Sequence, residues 1–475
     1  MKEKSKSMGA LKEKFDLVVI GAGPGGYVAA IKGAQKGKRV ALIERELMGG
    51  TCLNVGCIPT KTLIANAHMM HTFESAADFG FKVGPISFDY SKMKSRKDSV
   101  VKEIRDSLTG LIKSKKITIF KGEGSFEASD SDAQLIKVVS GESRTLIETA
   151  KTIIATGSAP MEMAAFPTDA SRKIYNSSTI LEMTKLPKKL AVIGGGYIGC
   201  EFASLFAQLG VEVTILEFLP KIVMLQGEDI SKALTDAFIE KGIEIRTKVK
   251  VTSIEDSKAG LKVNVEAGEA CLADAVLVSV GRTKVTDGLN LRAIGLGTTR
   301  DGSIQVNEKM ETAVPGVYAI GDVTGKGMLA HVASHQALVA ASNAAGASKK
   351  MHYEAVPAVI FTSPEIATVG KMREELDRDN IAYKVGKFPF AVLGKSKAAG
   401  QTEGFAQVLI APSTGKILGA QVVGSEAASL ISEMALAITA ELTAEDIAET
   451  IHAHPTLPEA WLEAVLIAKG EPIHF

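Results

Sequence analysis

Cysteine is scarce in this chain, with four residues in 475: Cys52, Cys57, Cys200 and Cys271. That is far too few for a disulfide scaffold, and their spacing holds no CxxC half-site for zinc. Charge of one sign is also missing. Lys plus Arg total 55 against 54 for Asp plus Glu, so no global field draws in nucleic acid or an anionic membrane, and neither is expected as a partner. No run of about 18 apolar residues occurs, which argues against a membrane span. The N-terminal sequence MKEKSKSMGALKEK has no apolar stretch of the secretory kind, and Glu3 and Glu13 without an Arg suit a transit peptide poorly. These absences predict a cytoplasmic protein that binds through local sites. Proline is sparse as well, 15 residues against 45 glycines, and where those glycines cluster carries the argument further.

The length implies two to four domains at roughly 150 residues each. Phe15 to Ile20 reads FDLVVI, an apolar run suited to a strand buried on both faces, and leads straight into Gly21-Ala22-Gly23-Pro24-Gly25-Gly26. A helical stretch ending near Gly37 follows, then RVALIE, a strand ending at Glu44. The pattern returns at Leu190 to Ile193, with Gly194-Gly195-Gly196-Tyr197-Ile198-Gly199, a helix through Leu209 and the strand VEVTILE ending at Glu217. Gly21/Gly194, Gly23/Gly196, Gly26/Gly199 and Glu44/Glu217 all lie 173 residues apart. In such a unit the first glycine makes the tight turn, the second lets a pyrophosphate approach the backbone and the third packs helix on strand. The acid closing the second strand suits a ribose diol. At Glu217 it would also repel a 2′-phosphate, and with no Arg in the following FLPKIV this favours NAD over NADP. Two dinucleotides are expected. A third strand, Val317 to Ile320, runs into Gly321-Asp322 and sets a carboxylate at a strand's carboxyl end, while TIIATG (Thr152 to Gly157) and VLVSVGR (Val276 to Arg282) read as crossovers between domains.

The segment GGTCLNVGCIPTK, Gly49 to Lys61, holds two cysteines five apart. On an ideal helix their Cα atoms would lie roughly 8 to 9 Å apart, beyond the roughly 7 Å a disulfide spans, so the backbone must distort, with Gly56 and Pro59 suited to it. Beside a dinucleotide fold the pair reads as a redox couple rather than as two packed thiols. Thiol chemistry at neutral pH needs a base, because an unperturbed thiol is mostly protonated, and histidine is the natural candidate. Of eight histidines, His68 and His71 read as packing or surface residues. His331 and His335 have i, i+4 spacing without the acid of HExxH, and His352 and His474 have no informative neighbours. No metal site is expected. In IHAHPTLPEAW, His454 followed five residues later by Glu459 suits a base oriented by a carboxylate.

Together GGTCLNVGCIPTK, GAGPGG, GGGYIG, AIGD and HAHPTLPE resemble the flavoprotein disulfide reductases, over nearly the whole chain from Phe15 to Gly470. The resemblance implies an α/β fold with two Rossmann-like domains, for FAD and NAD, and a C-terminal α+β interface domain that forms a homodimer. The expected division is 1–150 and 281–350 for FAD, 151–280 for NAD and 351–475 for the interface. Cys52 resembles the thiol that exchanges with substrate, Cys57 the thiol against the flavin, His454 the acid–base and Glu459 its partner, with His452 a structural neighbour. Gly21, Gly23, Gly26, Glu44, Lys61, Gly124, Thr156, Gly157, Asp322 and Ala330 correspond to the FAD site. Gly194, Gly196, Gly199, Glu217, Val251 and Gly281 correspond to the NAD site. Lys61 is paired in the family with an acid at the position of Glu201, which by itself reads as an ordinary helix-face carboxylate. Tyr197 could equally stack over the flavin or pack in the core. Cys200 and Cys271 are expected to be inert. The implied activity is oxidation of dihydrolipoamide carried by the lipoyl domains of 2-oxo acid dehydrogenase acyltransferase subunits, with the base reaching the cysteines of the other subunit. Relatives with a C-terminal cysteine pair, and NADPH-linked glutathione-type relatives with arginines after the second acid, fit less well, as does a non-catalytic FAD-binding subunit.

Overall fold

The apolar run Phe15–Ile20 forms the carboxyl half of a strand, Lys12–Ile20, whose residues from Leu17 to Val19 are 0–1% exposed. Burial on both faces is what an unbroken apolar run requires, as in a parallel sheet covered on both sides. Lys12–Ile20 pairs in parallel with Val40–Glu44 on one side and with Ser143–Ile154 on the other. The computed structural model describes residues 12–129 and 133–475; the N-terminal residues read above for targeting fall outside these up to residue 11. Among the described residues this sheet has seven strands: Thr118–Lys121 and Val40–Glu44 flank one edge, Gln134–Ser140 and Glu123–Glu127 extend the other, and Val317–Ala319 joins Ser143–Ile154 in parallel. Phe126, Ile136, Ile147 and Ile154 close the core beneath it.

The chain separates into two compact units. The first comprises residues up to Thr62, Ser95–Met161 and Gly281–His352; the second comprises Leu63–Lys94, Glu162–Val280 and Tyr353–Phe475. The boundary expected at residue 151 falls inside the strand Ser143–Ile154, whose pairing with Lys12–Ile20 runs to its end. Residues 151–161 therefore stay with the first unit. The first unit resumes at Gly281.

In the second unit Lys189–Ile193, Glu212–Leu216, Glu244–Arg246, Ala275–Val278 and Ile174–Asn176 form a five-stranded parallel sheet, and Val251–Ser257, Gly260–Val265 and Cys271–Ala273 an antiparallel one. The strands expected from FAQVLIA and KILGAQVVG are Gly404–Ile410 and Ile417–Gly424, central in an antiparallel sheet of five. The helices Ala427–Thr439 and Glu459–Lys469 contribute to its core, which includes Trp461, Phe388 and Met434, each 0–1% exposed. No helix among the described residues is long and apolar enough to cross a membrane.

Candidate active site

Each glycine loop is built by the same steric rule. Gly21 takes φ +100°, and a Cβ there would stand 2.4 Å from the Ala155 carbonyl oxygen; Gly194 takes φ +103°, with the Ser279 carbonyl at 2.6 Å. A Cβ on Gly26 would sit 1.8 Å from the Gly21 carbonyl, and on Gly199 2.0 Å from that of Gly194, so helix and strand meet only with glycine there. Gly23 and Gly196 differ in kind: nothing lies within 4 Å of a Cβ at either. They face open space, and the helices they begin, Pro24–Gln35 and Tyr197–Gln208, have no side-chain cap on their first N–H groups. A helix N-terminus with uncapped donors beside an unobstructed backbone fits a pyrophosphate.

The acids close each loop. Glu44 accepts the Ala22 N–H at 2.7 Å and the Glu46 N–H at 2.8 Å; Glu217 accepts the Gly195 and Leu219 N–H groups, each at 2.5 Å. Both carboxylates thus tie the glycine turn to the strand end, a role sequence reading had not given them, and each keeps further lone pairs for a ribose diol.

Around the first loop, Gly124 lies against Ile20 and Ile43 at the carboxyl ends of the two leading strands. Thr156 donates to the Val285 carbonyl at 2.6 Å, and the Gly157 carbonyl accepts from the Val285 N–H. Asp322, in the turn after Val317–Ala319, accepts from the Ser158 hydroxyl at 2.5 Å; Arg282, its side chain 9% exposed, donates to the Ser158 hydroxyl and carbonyl and lies 3.9 Å from Asp322. The buried Gln336 accepts the Gly321 N–H at 2.6 Å and fixes that turn. Ala330 is the first residue of the helix Ala330–Ala344, which also has no side-chain cap. Gly21, Gly23, Gly26, Glu44, Gly124, Thr156, Gly157, Asp322 and Ala330 thus all belong to one unit. Ser158, Arg282 and Gln336 were not found from sequence; TIIATG and VLVSVG, which Ser158 and Arg282 directly follow, were the available signal.

In the second unit Gly194, Gly196, Gly199 and Glu217 come together as expected, while Val251 starts the antiparallel sheet opposite Val265. Gly281, assigned with them, is grouped with the first unit, where its carbonyl accepts the Met161 N–H. Tyr197 is 39% exposed and so is not a buried packing residue. Glu201 is 7% exposed and accepts the Phe361 N–H at 3.0 Å.

The cysteine segment breaks where the geometry demanded. One helix spans Gly50–Val55, Gly56 interrupts it, and a second spans Cys57–Glu74, with Pro59 tolerated in its first turn. A Cβ on Gly56 would come within 2.9 Å of the Thr51 carbonyl. Cys52 and Cys57 are half-buried thiols. The Cys52 thiol is pushed well up, first by its hydrogen bond to Cys57 and then by burial, with the Lys61 ammonium pulling the other way. Cys52 therefore holds its proton. Burial, aided by the Glu217 and Glu201 carboxylates at Cys200, pushes up the thiols of Cys200 and Cys271, as inert cysteines require.

In the second unit, beside the antiparallel sheet of five, His454 presents Nδ1 to Glu459 Oε1 at 2.8 Å, and Glu459 Oε2 accepts the Thr456 N–H at 2.7 Å. Burial opposes the ionised Glu459, but the bonds from Thr456 and His454 and the nearby His452 hold its carboxyl below the usual range. The His454 ring is 77% exposed, leaving Nε2 for a substrate. His452 is instead buried, bonded to Thr450 and Glu433. His474, uninformative in sequence, lies 2.6 Å from Glu463, and that bond raises its affinity for a proton. Among the described residues no three His, Cys, Asp or Glu side chains could hold a metal ion.

The family model described as pyridine nucleotide-disulphide oxidoreductase matches residues 15–337, and that of the corresponding dimerisation domain matches 356–465. The chain is 48% identical to the dihydrolipoyl dehydrogenase of Chlamydia pneumoniae, over 98% of this chain and 99% of that protein. It is 41% identical to the enzyme of that name from Geobacillus stearothermophilus, over 97% of each, and 41% to the mitochondrial one of Pisum sativum, over 99% and 95%. Among solved structures, LpdA of Mycobacterium tuberculosis superimposes with a TM-score of 0.90 at 26% identity, covering 95% of this chain and 99% of that one.

Proposed function

We propose, from the premise that this chain belongs to the pyridine nucleotide-disulphide oxidoreductase family, that it is a dihydrolipoyl dehydrogenase: it oxidises dihydrolipoamide to the cyclic disulfide and reduces NAD⁺. The cofactors are FAD and NAD, and the dimerisation domain supports a homodimer. The observation that carries the reading is the His454–Glu459 pair, a base held by one nitrogen and offered by the other, in a chain that also carries the thiols Cys52 and Cys57 five residues apart.

In the oxidised enzyme Cys52 and Cys57 form a disulfide. One substrate thiol gives its proton to His454 Nε2 and attacks Cys52 as thiolate; the sulfur–sulfur bond to Cys57 breaks and its electron pair stays on Cys57. The second substrate thiol then attacks the mixed disulfide, closing the dithiolane ring and returning Cys52 as a thiol. Two electrons now reside on the cysteine pair, with Glu459 stabilising the imidazolium formed on the way. FAD, when bound, relays those two electrons to NAD⁺. The Cys52–Cys57 hydrogen bond and burial suit Cys52 to leave the exchange as a thiol. As in the family, the base serves the cysteines of the other subunit of the dimer, and the substrate is carried on lipoyl domains of 2-oxo acid dehydrogenase acyltransferase subunits.

The test is NAD⁺ reduction with dihydrolipoamide beside reduced glutathione. Dihydrolipoamide should support turnover and glutathione should not; the opposite preference refutes the reading. His454→Gln should lower kcat by at least about a hundredfold, and near-normal turnover in it removes His454 from the mechanism.

A further inference from the structure

Three glutamate–histidine pairs lie in the last part of the chain: Glu433 with His452 at 3.0 Å, Glu459 with His454 at 2.8 Å, and Glu463 with His474 at 2.6 Å. They differ in what each ring's other nitrogen meets. His452 has Nδ1 3.0 Å from the Thr450 carbonyl and Nε2 3.0 Å from Glu433 Oε1, with its side chain 5% exposed. A carbonyl and a carboxylate only accept. A neutral imidazole, one donor and one lone pair, would set its lone pair against an acceptor in a buried place, which is costly. The ring that satisfies both contacts carries both protons.

We propose that His452 is a buried imidazolium acting as a positioning residue for His454. It holds the Thr450 carbonyl to Glu433 of the helix Ala427–Thr439 and so pins the start of the turn that presents His454. Its positive charge, two residues away, favours ionised Glu459 and opposes a second positive charge on His454, keeping that base unprotonated and ready at neutral pH. The charged groups around this turn are Glu433 from Ala427–Thr439, Glu459 and Glu463 from Glu459–Lys469, and His474 from the segment after it, which neutralises Glu463.

This rests on His454 being the base. Removing the His452 cation leaves the Glu433 anion behind, so His454 binds its proton more tightly. The acid limb of kcat/KM for dihydrolipoamide oxidation, which reports loss of the free base, should then move to higher pH. In His452→Gln holoenzyme of normal flavin content the expected move is about half a pH unit or more. An unmoved limb with only a lower kcat would mean a structural role and overturn the inference. Nitrogen-15 NMR of histidine-labelled protein at pH 8 gives a second readout: both His452 ring nitrogens should show the protonated shift, and the signal should be lost in Glu433→Gln, whose side chain is surface-accessible. A single protonated nitrogen refutes it. His454→Gln separates the two failures, since turnover surviving in that variant sinks the functional reading, whereas an inactive His454→Gln beside an unshifted His452→Gln sinks only this one.

Discussion

The two glycine loops are one turn used twice, and their paths diverge most sharply at Gly50 and its counterpart Val223. Gly50 and Val223, 173 residues apart like the glycines themselves, both adopt left-handed backbone, φ +56° and +41°. At Gly50 a Cβ would stand 2.7 Å from the Gly23 Cα, whereas the second copy holds a β-branched residue in a conformation that costs about 1–3 kcal/mol. Beyond that position the first copy continues into the helix Gly50–Val55 carrying Cys52, and the second into a short turn, Met224–Gln226. Leu225, the counterpart of Cys52, is 89% exposed. Close approach of helix to glycine loop therefore belongs to the copy that carries the redox thiol. The other copy has the same ligand-binding turn and does no thiol chemistry.

If the copies are independent ligand sites, breaking each should remove one cofactor. Gly26→Ala drives a Cβ into the Gly21 carbonyl and should yield protein without flavin; Gly199→Ala should leave the protein yellow while lowering NAD⁺ turnover at least about a hundredfold. Absorbance at 450 nm and steady-state kinetics read both, and flavin loss in Gly199→Ala would show the copies to be coupled. Gly50→Val tests the point of divergence. It should cost thiol activity even where flavin is retained, because Cys52 lies two residues on, and an active Gly50→Val would erase the distinction between the copies.

The acids give a smaller effect. Glu217 is 8% exposed and bonded twice to backbone, so Glu217→Gln should keep the loop yet lose the charge that repels a 2′-phosphate. The kcat/KM preference for NADH over NADPH should fall about tenfold, or roughly 1.4 kcal/mol. Glu44→Gln should leave that preference alone. An unchanged ratio in Glu217→Gln would confine this carboxylate to its structural bonds.

Much of this was legible because it is local. Parallel strands buried on both faces read as apolar runs, and Gly26 and Gly199 are each dictated by a carbonyl five residues back in the chain. The charged opening of Lys12–Ile20 was not, since it is a strand only through pairing with Ser143–Ile154, more than a hundred residues on. That pairing also moved the boundary at residue 151. Ser158 with Arg282, Gln336 with Gly321, and His452 with Glu433 escaped for the same reason: each joins residues 15 to 124 apart, and no spacing rule announces a single polar side chain that meets its partner only after folding.

The smallest expected difference lies at the first helical residue of each copy, Pro24 against Tyr197. Proline suits that place because its missing N–H would be unpaired there anyway and its φ is already helical. Pro24→Ala should therefore cost about 0.5–1 kcal/mol, chiefly by freeing the unfolded chain, with little change in kinetics. Tyr197 has no such backbone role, and with 39% of its surface exposed its loss should change stability by less than about 0.5 kcal/mol. A ring left half-exposed beside the second glycine loop should instead act on the pyridine nucleotide, so Tyr197→Ala should change KM for NAD⁺ while thermal unfolding stays at the parental midpoint. The reverse result, a lower midpoint with unchanged KM, would make Tyr197 the packing residue and Pro24 its true equivalent.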